Sequence, residues 1–294
     1  MSGGYLTNGL NFDYSLGFLL VSDAYLFVLA LLQRKIMLFT RLVTLFILFI
    51  KLSFSAAKAD ELPQFHIYTE IWPPYQFIEN DELTGLSVEL FEMMLNNVGS
   101  AQTRKSFQVV PWARGMNYLK TLDNTVLFLT TRTPEREGQF KWVGPVFDNV
   151  AYVITRKVPK IDLEGLVNKK TITAAAVRDD ASASYLTLLG VPQSNIFFTN
   201  TADSALKMLA AGRVNIIVDN WENFSSLVAE IGLNTEDFVT ASIAHKDNVS
   251  YAFNKQTPDW VIKKFQDALT SIINEGKLKA LEQKYQVTLT SPEI

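Results

Sequence analysis

Cysteine is absent from the 294 residues of this chain, and only two histidines are present, His66 and His245. Without cysteine the protein has no disulfide framework, no thiolate nucleophile and no cysteine metal site. The histidines lie far apart in the sequence, and a strand position explains His66 better than a role as ligand or base. The sequence also lacks the His-Glu-x-x-His, Gly-x-x-x-x-Gly-Lys and Gly-x-Ser-x-Gly patterns. We therefore predict no catalytic residue, no metal and no cofactor.

An excess of positive charge is also missing. The chain has 27 basic and 30 acidic residues, a formal net charge of −3. Nonspecific nucleic-acid binding requires clustered basic residues, so we expect no nucleic-acid partner. The apolar fraction of 48% and the charged fraction of 19% are typical of a globular protein with an added membrane-directed segment.

The segment over residues 37–59 predicts export. A short basic region ending at Arg41 precedes the apolar run 42–50, and Ala57-Lys58-Ala59 has the small-x-small form of a signal-peptidase site. We predict a signal peptide that is cleaved after Ala59 and a mature protein in the periplasm.

Residues 1–36 precede this signal and contain a second apolar stretch, Leu16 to Leu32. We interpret them as an upstream extension produced by a gene-start error, with the true start at Met37. The alternative is an inner-membrane anchor of two hydrophobic segments, with Arg34, Lys35 and Arg41 on the cytoplasmic side. Sequencing the amino terminus of the exported protein distinguishes the two.

After Asp60, short apolar strands alternate with amphipathic helices, the pattern of α/β architecture. Two extended segments, Val150–Ile154 and Val249–Phe253, separate two such units and suggest lobes that move as rigid bodies. We predict a first lobe over residues 60–151 and 249–294 and a second lobe over residues 152–248. The predicted strands include 65–69, 107–110, 126–129, 171–177, 196–198 and 214–218. The predicted helices include 88–97, 112–120, 202–211, 259–275 and 278–285.

The segment Thr131–Arg136 follows the buried strand and predicts an anion site. Thr133 is a good helix N-cap, and Pro134 suits the first helical position. Arg136 then falls in the first turn, beside free backbone N–H groups and threonine hydroxyls. The alternative is an ordinary capped helix with a surface arginine.

Five motifs occur in an order that resembles the bacterial extracellular solute-binding proteins of family 3, the polar amino-acid receptors of ABC importers. They span nearly all of residues 62–287. The stretch Pro111-Trp112-Ala113-Arg114, between the second and third motifs, resembles a divergent branch of that family. The motifs are Trp72-Pro73-Pro74-Tyr75, Leu83-Thr84-Gly85-Leu86-Ser87-Val88-Glu89-Leu90, Thr133-Pro134-Glu135-Arg136-Glu137, Ala211-Gly212-Arg213-Val214-Asn215-Ile216-Ile217-Val218-Asp219 and Ile273-Asn274-Glu275-Gly276-Lys277-Leu278.

The resemblance implies a two-lobed α/β fold of the type II periplasmic-binding-protein class, with the lobes joined by two extended hinge segments. It also implies a monomer that binds a small polar ligand, an amino acid or a related carboxylate, and delivers it to an inner-membrane ABC permease. Cleft closure around the ligand is the expected mechanism.

The family's binding residues match positions in this sequence one at a time. Arg136 matches the arginine that pairs with the ligand carboxylate, and Thr131 matches a position that hydrogen-bonds the same group. Asp219 matches the acid that receives the ammonium group, although a strand-end or capping aspartate is the alternative. Trp72 matches an aromatic wall, with a core or lid aromatic as the alternative, whereas Tyr75 is expected to pack within the first lobe.

Two further positions lie on a segment that faces the cleft in the family. Trp112 is expected to stack on a ligand or to cover its cation. Arg114 is expected either to reach the site or to form a salt bridge within its own lobe.

Two departures from the family pattern put a plain α-amino acid in doubt. Leu129 occupies a position where many members place a small polar ligand contact. Arg178-Asp179-Asp180 begins the helix of the second lobe, where two carboxylates would repel a ligand carboxylate unless they turn outward as caps. Arg178 is the candidate for a compensating cation.

Two other functions remain open from the sequence. The resemblance extends to periplasmic cyclohexadienyl dehydratases, so an enzyme is one alternative. It also extends to input domains of membrane kinases and lytic transglycosylases, so a ligand sensor for a separate signalling partner is the other.

Overall fold

A computed structural model describes residues 14–55, 61–168 and 170–289 of the chain. The chain divides into two units, Met1–Glu61 and Leu62–Ile294, which are described separately.

Helix α1 (Tyr14–Ser55) is a single helix of 42 residues in the first unit. It includes the predicted basic and apolar regions of the signal peptide, whereas the predicted cleavage site at Ala57–Ala59 lies outside the described residues. Apolar side chains along its described part are exposed, Phe39 by 69%. Among the described residues, no helix combines the length and hydropathy that crossing a membrane requires.

The second unit has an α/β architecture. Its strands are β1 (His66–Thr69), β2 (Phe77–Glu79), β3 (Glu82–Thr84), β4 (Phe107–Val109), β5 (Thr125–Thr131), β6 (Lys141–Arg156), β7 (Ala174–Val177), β8 (Ile196–Thr199), β9 (Ile216–Asn220) and β10 (Phe238–Phe253). Its helices are α2 (Leu86–Val98), α3 (Trp112–Thr121), α4 (Pro134–Glu137), α5 (Leu163–Asn168), α6 (Ala181–Leu188), α7 (Ala202–Ala210), α8 (Trp221–Glu230), α9 (Asp259–Asn274) and α10 (Lys277–Tyr285).

Eight of these strands form one mixed sheet in the order β4-β1-β5-β10-β6-β9-β7-β8. Strand β1 is parallel to β4 and β5, and strand β7 is parallel to β8 and β9. The 16-residue strands β6 and β10 pair antiparallel along their length in the middle of the sheet. The end of β10 pairs with β5 and the end of β6 pairs with β9. Both long strands therefore run from one half of the sheet into the other.

Separate apolar cores cover the two halves of the sheet. In the first lobe, which contains β1–β5, α2–α4, α9 and α10, the ring of Phe91 lies 4.8 Å from Tyr251 and 5.7 Å from Phe265. In the second lobe, which contains β7–β9 and α5–α8, Phe224 and Leu206 are buried with the residues of β9. Because each half has its own core, the chain has two lobes connected by β6 and β10.

Most predicted elements are confirmed, with shifted ends. The strand predicted at 171–177 begins only at Ala174, and the predicted extended segments are parts of the much longer β6 and β10. Helix α8 was not predicted. Thr133 precedes α4 at the N-cap position, but its side chain makes no capping hydrogen bond. The predicted residue limits of the lobes stay a prediction.

Candidate functional site

Strand ends from both lobes meet at one cleft. The first lobe contributes residues that follow β1 and the end of β5, and the second lobe contributes residues that follow β7 and the end of β9. Ligands of α/β sheets bind at this position, outside the carboxyl ends of the strands. The polar lining side chains include Glu70, Thr131, Asp180, Ser182, Asp219 and Asn223.

Trp72 forms an aromatic wall of the cleft. Its ring centroid lies 4.8 Å from that of Tyr75 and 6.4 Å from that of Phe147. Tyr75 is 3% exposed and stacks on Phe147 within the first-lobe core. Trp72 is half-buried and lines the cleft. The core aromatics behind it therefore hold the Trp72 ring in place.

Strand β5 brings Leu129 and Thr131 to the cleft. Leu129 has a φ of 37°, in the left-handed region that bulky residues rarely adopt. The pairing of β5 with β10 shifts its register nearby, between Ser250 and Ala252. Bulges of this kind change where a strand directs its side chains. The result is an apolar surface where the family resemblance leads one to expect a polar contact.

Two first-lobe side chains hydrogen-bond one backbone carbonyl of the second lobe. The indole Nε1 of Trp112 donates to the Asp179 carbonyl at 3.0 Å, and a guanidinium nitrogen of Arg136 donates to the same oxygen at 2.7 Å. Another nitrogen of Arg136 donates to the Thr131 carbonyl at 3.0 Å. We name this arrangement of Trp112, Arg136 and the Asp179 carbonyl the latch. It joins the lobes at the cleft.

The backbone of Asp179 allows the latch to form. Asp179 has a φ of 61°, a left-handed conformation that aspartate tolerates better than most residues. It lies in the turn between β7 and α6. The guanidinium carbon of Arg136 also lies 5.8 Å from the centre of the Trp112 ring. At this distance the cation and the ring attract each other, which holds the two donors together.

Asp219 lies at the end of β9 and lines the second-lobe wall. Its carboxylate accepts hydrogen bonds from the backbone N–H of Asn220 at 2.8 Å and from Nδ2 of Asn223 at 2.9 and 3.1 Å. Burial raises the pKa of Asp219 to about 7, although the hydrogen bonds from Asn223 and Asn220 act in the opposite direction. The negative charge of Asp180 raises this pKa further. The carboxylate is thus strongly desolvated.

Two more carboxyl groups line the same cleft. Burial raises the pKa of Glu70 well above its ordinary value, and the charges of Asp180 and Asp219 raise it further. Asp180 is the N-cap of α6, where its Oδ1 accepts a hydrogen bond from the Ser182 N–H at 2.9 Å. Three acidic side chains therefore share one cleft.

The structure brings only some of the predicted site residues to the cleft. Trp72, Trp112, Thr131 and Asp219 line it, whereas Arg136 is 8% exposed and lies behind them in the latch. These roles in ligand binding stay predictions.

The other two predicted arginines lie away from the cleft. Arg114 is exposed on α3. Arg178 is also exposed, and its guanidinium carbon lies 5.5 Å from the ring centre of Phe198. Arg178 is therefore not positioned to compensate the charge of Asp180 inside the cleft.

The sequence-based prediction did not include Glu70, Asn220 or Asn223 as site residues. Glu70 directly follows β1, and the rule that ligands bind at strand carboxyl ends is the signal that identifies it. Asn220 caps α8 by accepting from the Asn223 N–H at 3.1 Å. Because α8 was not predicted, neither asparagine had a predicted place beside the cleft.

No group of three or more His, Cys, Asp or Glu side chains within the described ranges is arranged to hold a metal ion.

Comparisons with known proteins agree with this architecture. The sequence profile of the bacterial extracellular solute-binding proteins, family 3, matches residues 66–288. The probable amino-acid-binding protein YxeM of Bacillus subtilis (strain 168) is 25% identical over 216 residues, which are 72% of this chain and 79% of that protein.

Solved structures share the fold at low sequence identity. A histidine kinase sensor domain with similarity to periplasmic binding proteins matches with a TM-score of 0.68 and 21% identity, over 78% of this chain and 98% of that one. A structure concerned with glutathione import via GshT and the cystine ABC importer TcyBC of Streptococcus mutans matches with a TM-score of 0.66 and 14% identity, over 79% and 98% of the chains. The predicted type II periplasmic-binding-protein fold is confirmed.

The family consists of binding proteins, so this chain is a binding protein and not an enzyme, and the dehydratase alternative is set aside. Assignment to the divergent branch stays a prediction. With the profile matched from strand β1 to the end of helix α10 and with a cleft between two lobes, the chain belongs to the bacterial extracellular solute-binding proteins, family 3.

Proposed function

We propose that this protein captures a small polar ligand by closing its cleft and delivers the ligand to an inner-membrane ABC permease. The observation that carries the proposal is a polar cleft lined from both lobes and crossed by the latch. A ligand in this position contacts both walls at once. Contacts available only in the closed state shift the equilibrium toward that state.

The hinge for this motion is the pair of long strands. Strands β6 and β10 connect the lobes and pair irregularly, with register shifts between Thr240 and Ser242 and between Ile243 and His245. Rotation about two extended connections moves each core as a rigid body. Breaking the latch costs few hydrogen bonds, so the cleft opens without disturbing either core.

Ligand contacts come from both walls in this proposal. Trp72 and Thr131 act from the first lobe and Asp219 acts from the second, with the Asp219 carboxylate receiving a ligand ammonium group. Binding at micromolar Kd corresponds to about −8 kcal/mol. A few charge-assisted hydrogen bonds in a desolvated cleft supply energies of this order.

We propose that the protein acts in the periplasm as a monomer after removal of a signal peptide at Ala59, with Met37 as the start. The described apolar side chains of the run 42–50 support export, because they are exposed on α1, which is unfavourable in water, and because a run of this length fits the apolar region of an export signal.

The relatives support transport, and one of them favours a second function. YxeM is described as a probable amino-acid-binding protein, and the Streptococcus mutans structure concerns glutathione import via GshT and a cystine ABC importer. The histidine kinase sensor domain supports ligand sensing as the alternative, because its fold matches this chain with a TM-score of 0.68.

A thermal-shift screen of polar metabolites, followed by calorimetry of the full-length protein, tests the proposal. We expect saturable binding of one ligand per chain. Deletion of the gene should then abolish cellular uptake of that ligand; unchanged uptake with a lost transcriptional response would favour sensing. If no small polar molecule binds, the proposal is wrong.

A further inference from the structure

The acidic and basic residues of the cleft lining are all acidic. Of the described residues that line the cleft, Glu70, Asp180 and Asp219 carry carboxyl groups, and none is a lysine, arginine or histidine. The rest of the lining is apolar or neutral and includes the rings of Trp72 and Trp112. The negative charges come from both lobes, so they surround the cleft and do not lie on one wall.

The arginines that could neutralise these charges have other partners. Arg136 is the nearest candidate, but its nitrogens donate to the carbonyls of Thr131 and Asp179. These bonds engage both terminal nitrogens of a guanidinium that is not part of the cleft lining. A ligand carboxylate that paired with Arg136 would share those nitrogens with the latch, and it would lie beside the carboxyl groups of the lining.

The lining also contains a hydrogen-bond acceptor without a donor. Asn223 lines the cleft, is 2% exposed and donates from Nδ2 to Asp219, while its Oδ1 has no partner among the described residues. An unpaired buried acceptor is costly, and a ligand N–H group removes that cost.

We propose that the ligand is a small organic amine that carries at least one ammonium group and no carboxylate. The proposal rests on the proposed solute-binding function and names its substrate class. An ammonium group supplies both the positive charge and the hydrogen-bond donors that the cleft lacks. The Trp72 ring suits the same ligand, because aromatic faces attract cations.

The electrostatics of the lining agree with this class of ligand. Burial raises the pKa of both Glu70 and Asp219, and neighbouring carboxylates raise each further, Asp180 in both cases and Asp219 also for Glu70, so the ionised forms are disfavoured without a counter-charge. An ammonium ligand removes this penalty, whereas a zwitterion adds one more carboxylate to it.

Matched pairs of ligands that differ only by a carboxylate test the proposal. Calorimetry of the full-length protein should compare 1,4-diaminobutane with ornithine, agmatine with arginine, and histamine with histidine. We expect at least one amine to bind at least tenfold more tightly than its amino-acid counterpart. Equal or tighter binding of the amino acid in every pair would overturn the proposal, and so would failure of all three amines to bind.

Variants of the carboxyl groups in the lining test whether tight binding of the amine depends on the cleft. Glu70→Gln and Asp219→Asn should each weaken binding of the preferred amine at least tenfold, whereas Glu79→Gln, at an exposed position of β2, should leave it unchanged. Unchanged affinity in both lining variants would overturn the proposal. Because the comparison of ligands uses the unmodified chain, it stays decisive even if a variant fails to fold.

Failure of this proposal is distinguishable from failure of the proposed function. If an amino acid or an organic acid binds with one ligand per chain and no amine binds more tightly, the proposed ligand class is wrong, but the solute-binding function is supported. If the amines, the amino acids and the wider metabolite screen all fail to bind, the solute-binding proposal itself is wrong.

Discussion

Asp219 shows how one side chain can be both well hydrogen-bonded and electrostatically costly. It accepts hydrogen bonds from Asn220 and Asn223, which favour its ionised form. Burial nevertheless dominates and raises its pKa to about 7, from an ordinary value of 3.8. A buried carboxyl group with a raised pKa beside a cleft is typical of functional sites.

The pKa of Asp219 predicts how Asp219→Asn changes stability with pH. A carboxyl group whose pKa is raised on folding stabilises the folded state most at low pH. That contribution is lost as the pH rises from about 3.8 to about 7. The amide cannot ionise, so the variant avoids this loss. The free energy of unfolding of the variant, relative to wild type, should rise on the order of 2 kcal/mol between pH 4.5 and pH 8.

Urea denaturation of the ligand-free protein at these two pH values measures the effect. Asp123→Asn, at an exposed turn, is the control and should show no such difference. A stability difference between the Asp219 variant and wild type that is the same at both pH values would contradict the account.

At the scale of elements, the latch joins the start of α3 and helix α4 to the turn between β7 and α6. None of these elements is adjacent to the others in sequence, so only the folded lobes bring the donors to the Asp179 carbonyl. A neutral hydrogen bond such as that of the Trp112 indole contributes about 0.5–1.5 kcal/mol, and one from a charged group such as Arg136 contributes about 1.5–3 kcal/mol. The latch is therefore strong enough to favour closure and weak enough to open.

Trp112→Phe tests the latch because it removes the indole donor and keeps an aromatic ring. We expect the ligand found by screening to bind about two- to tenfold more weakly, since closure loses one hydrogen bond. Calorimetry measures the Kd of the variant and of wild type. The matched control is Trp142→Phe, because the Trp142 indole bonds to Glu137 within the first lobe. A larger loss in the control than in Trp112→Phe would show that the latch does not aid binding.

The elements also show which features are predictable from sequence. The strand Thr125–Thr131 and the helix Asp259–Asn274 follow from local apolar patterns, because each buries one continuous set of residues. Strand β10 is predicted only over its last residues. Its first part carries mostly exposed or half-buried side chains, so it has no apolar alternation, and pairing with β6 defines it instead.

The sequence predicts those cleft residues that belong to a recognisable motif. It does not predict contacts that depend on how the two lobes are folded and placed. Trp72, Thr131 and Asp219 reach the cleft as the motifs suggest. The sequence does not show that Arg136 hydrogen-bonds a carbonyl of the other lobe, because that contact spans 43 residues of sequence. The presence of Glu70 beside Asp180 and Asp219 likewise depends on how the lobes face each other.

At the scale of the whole molecule, two cores and the strands β6 and β10 surround one cleft lined by carboxyl groups. We propose that a single ligand in this cleft contacts both lobes. Trp72 lies on the first wall and Asp219 on the second, and neither contributes to the hinge strands. Their substitution therefore changes the walls while leaving β6 and β10 intact.

A calorimetric double-mutant cycle on the full-length protein tests this claim most directly. Trp72→Ala and Asp219→Asn should each weaken binding about tenfold or more, equivalent to about 1.4 kcal/mol, with one ligand per chain. The combined variant should depart from additivity, because losing either wall weakens closure around the ligand. Wild-type affinity in either single variant, or two ligands per chain, would contradict the account.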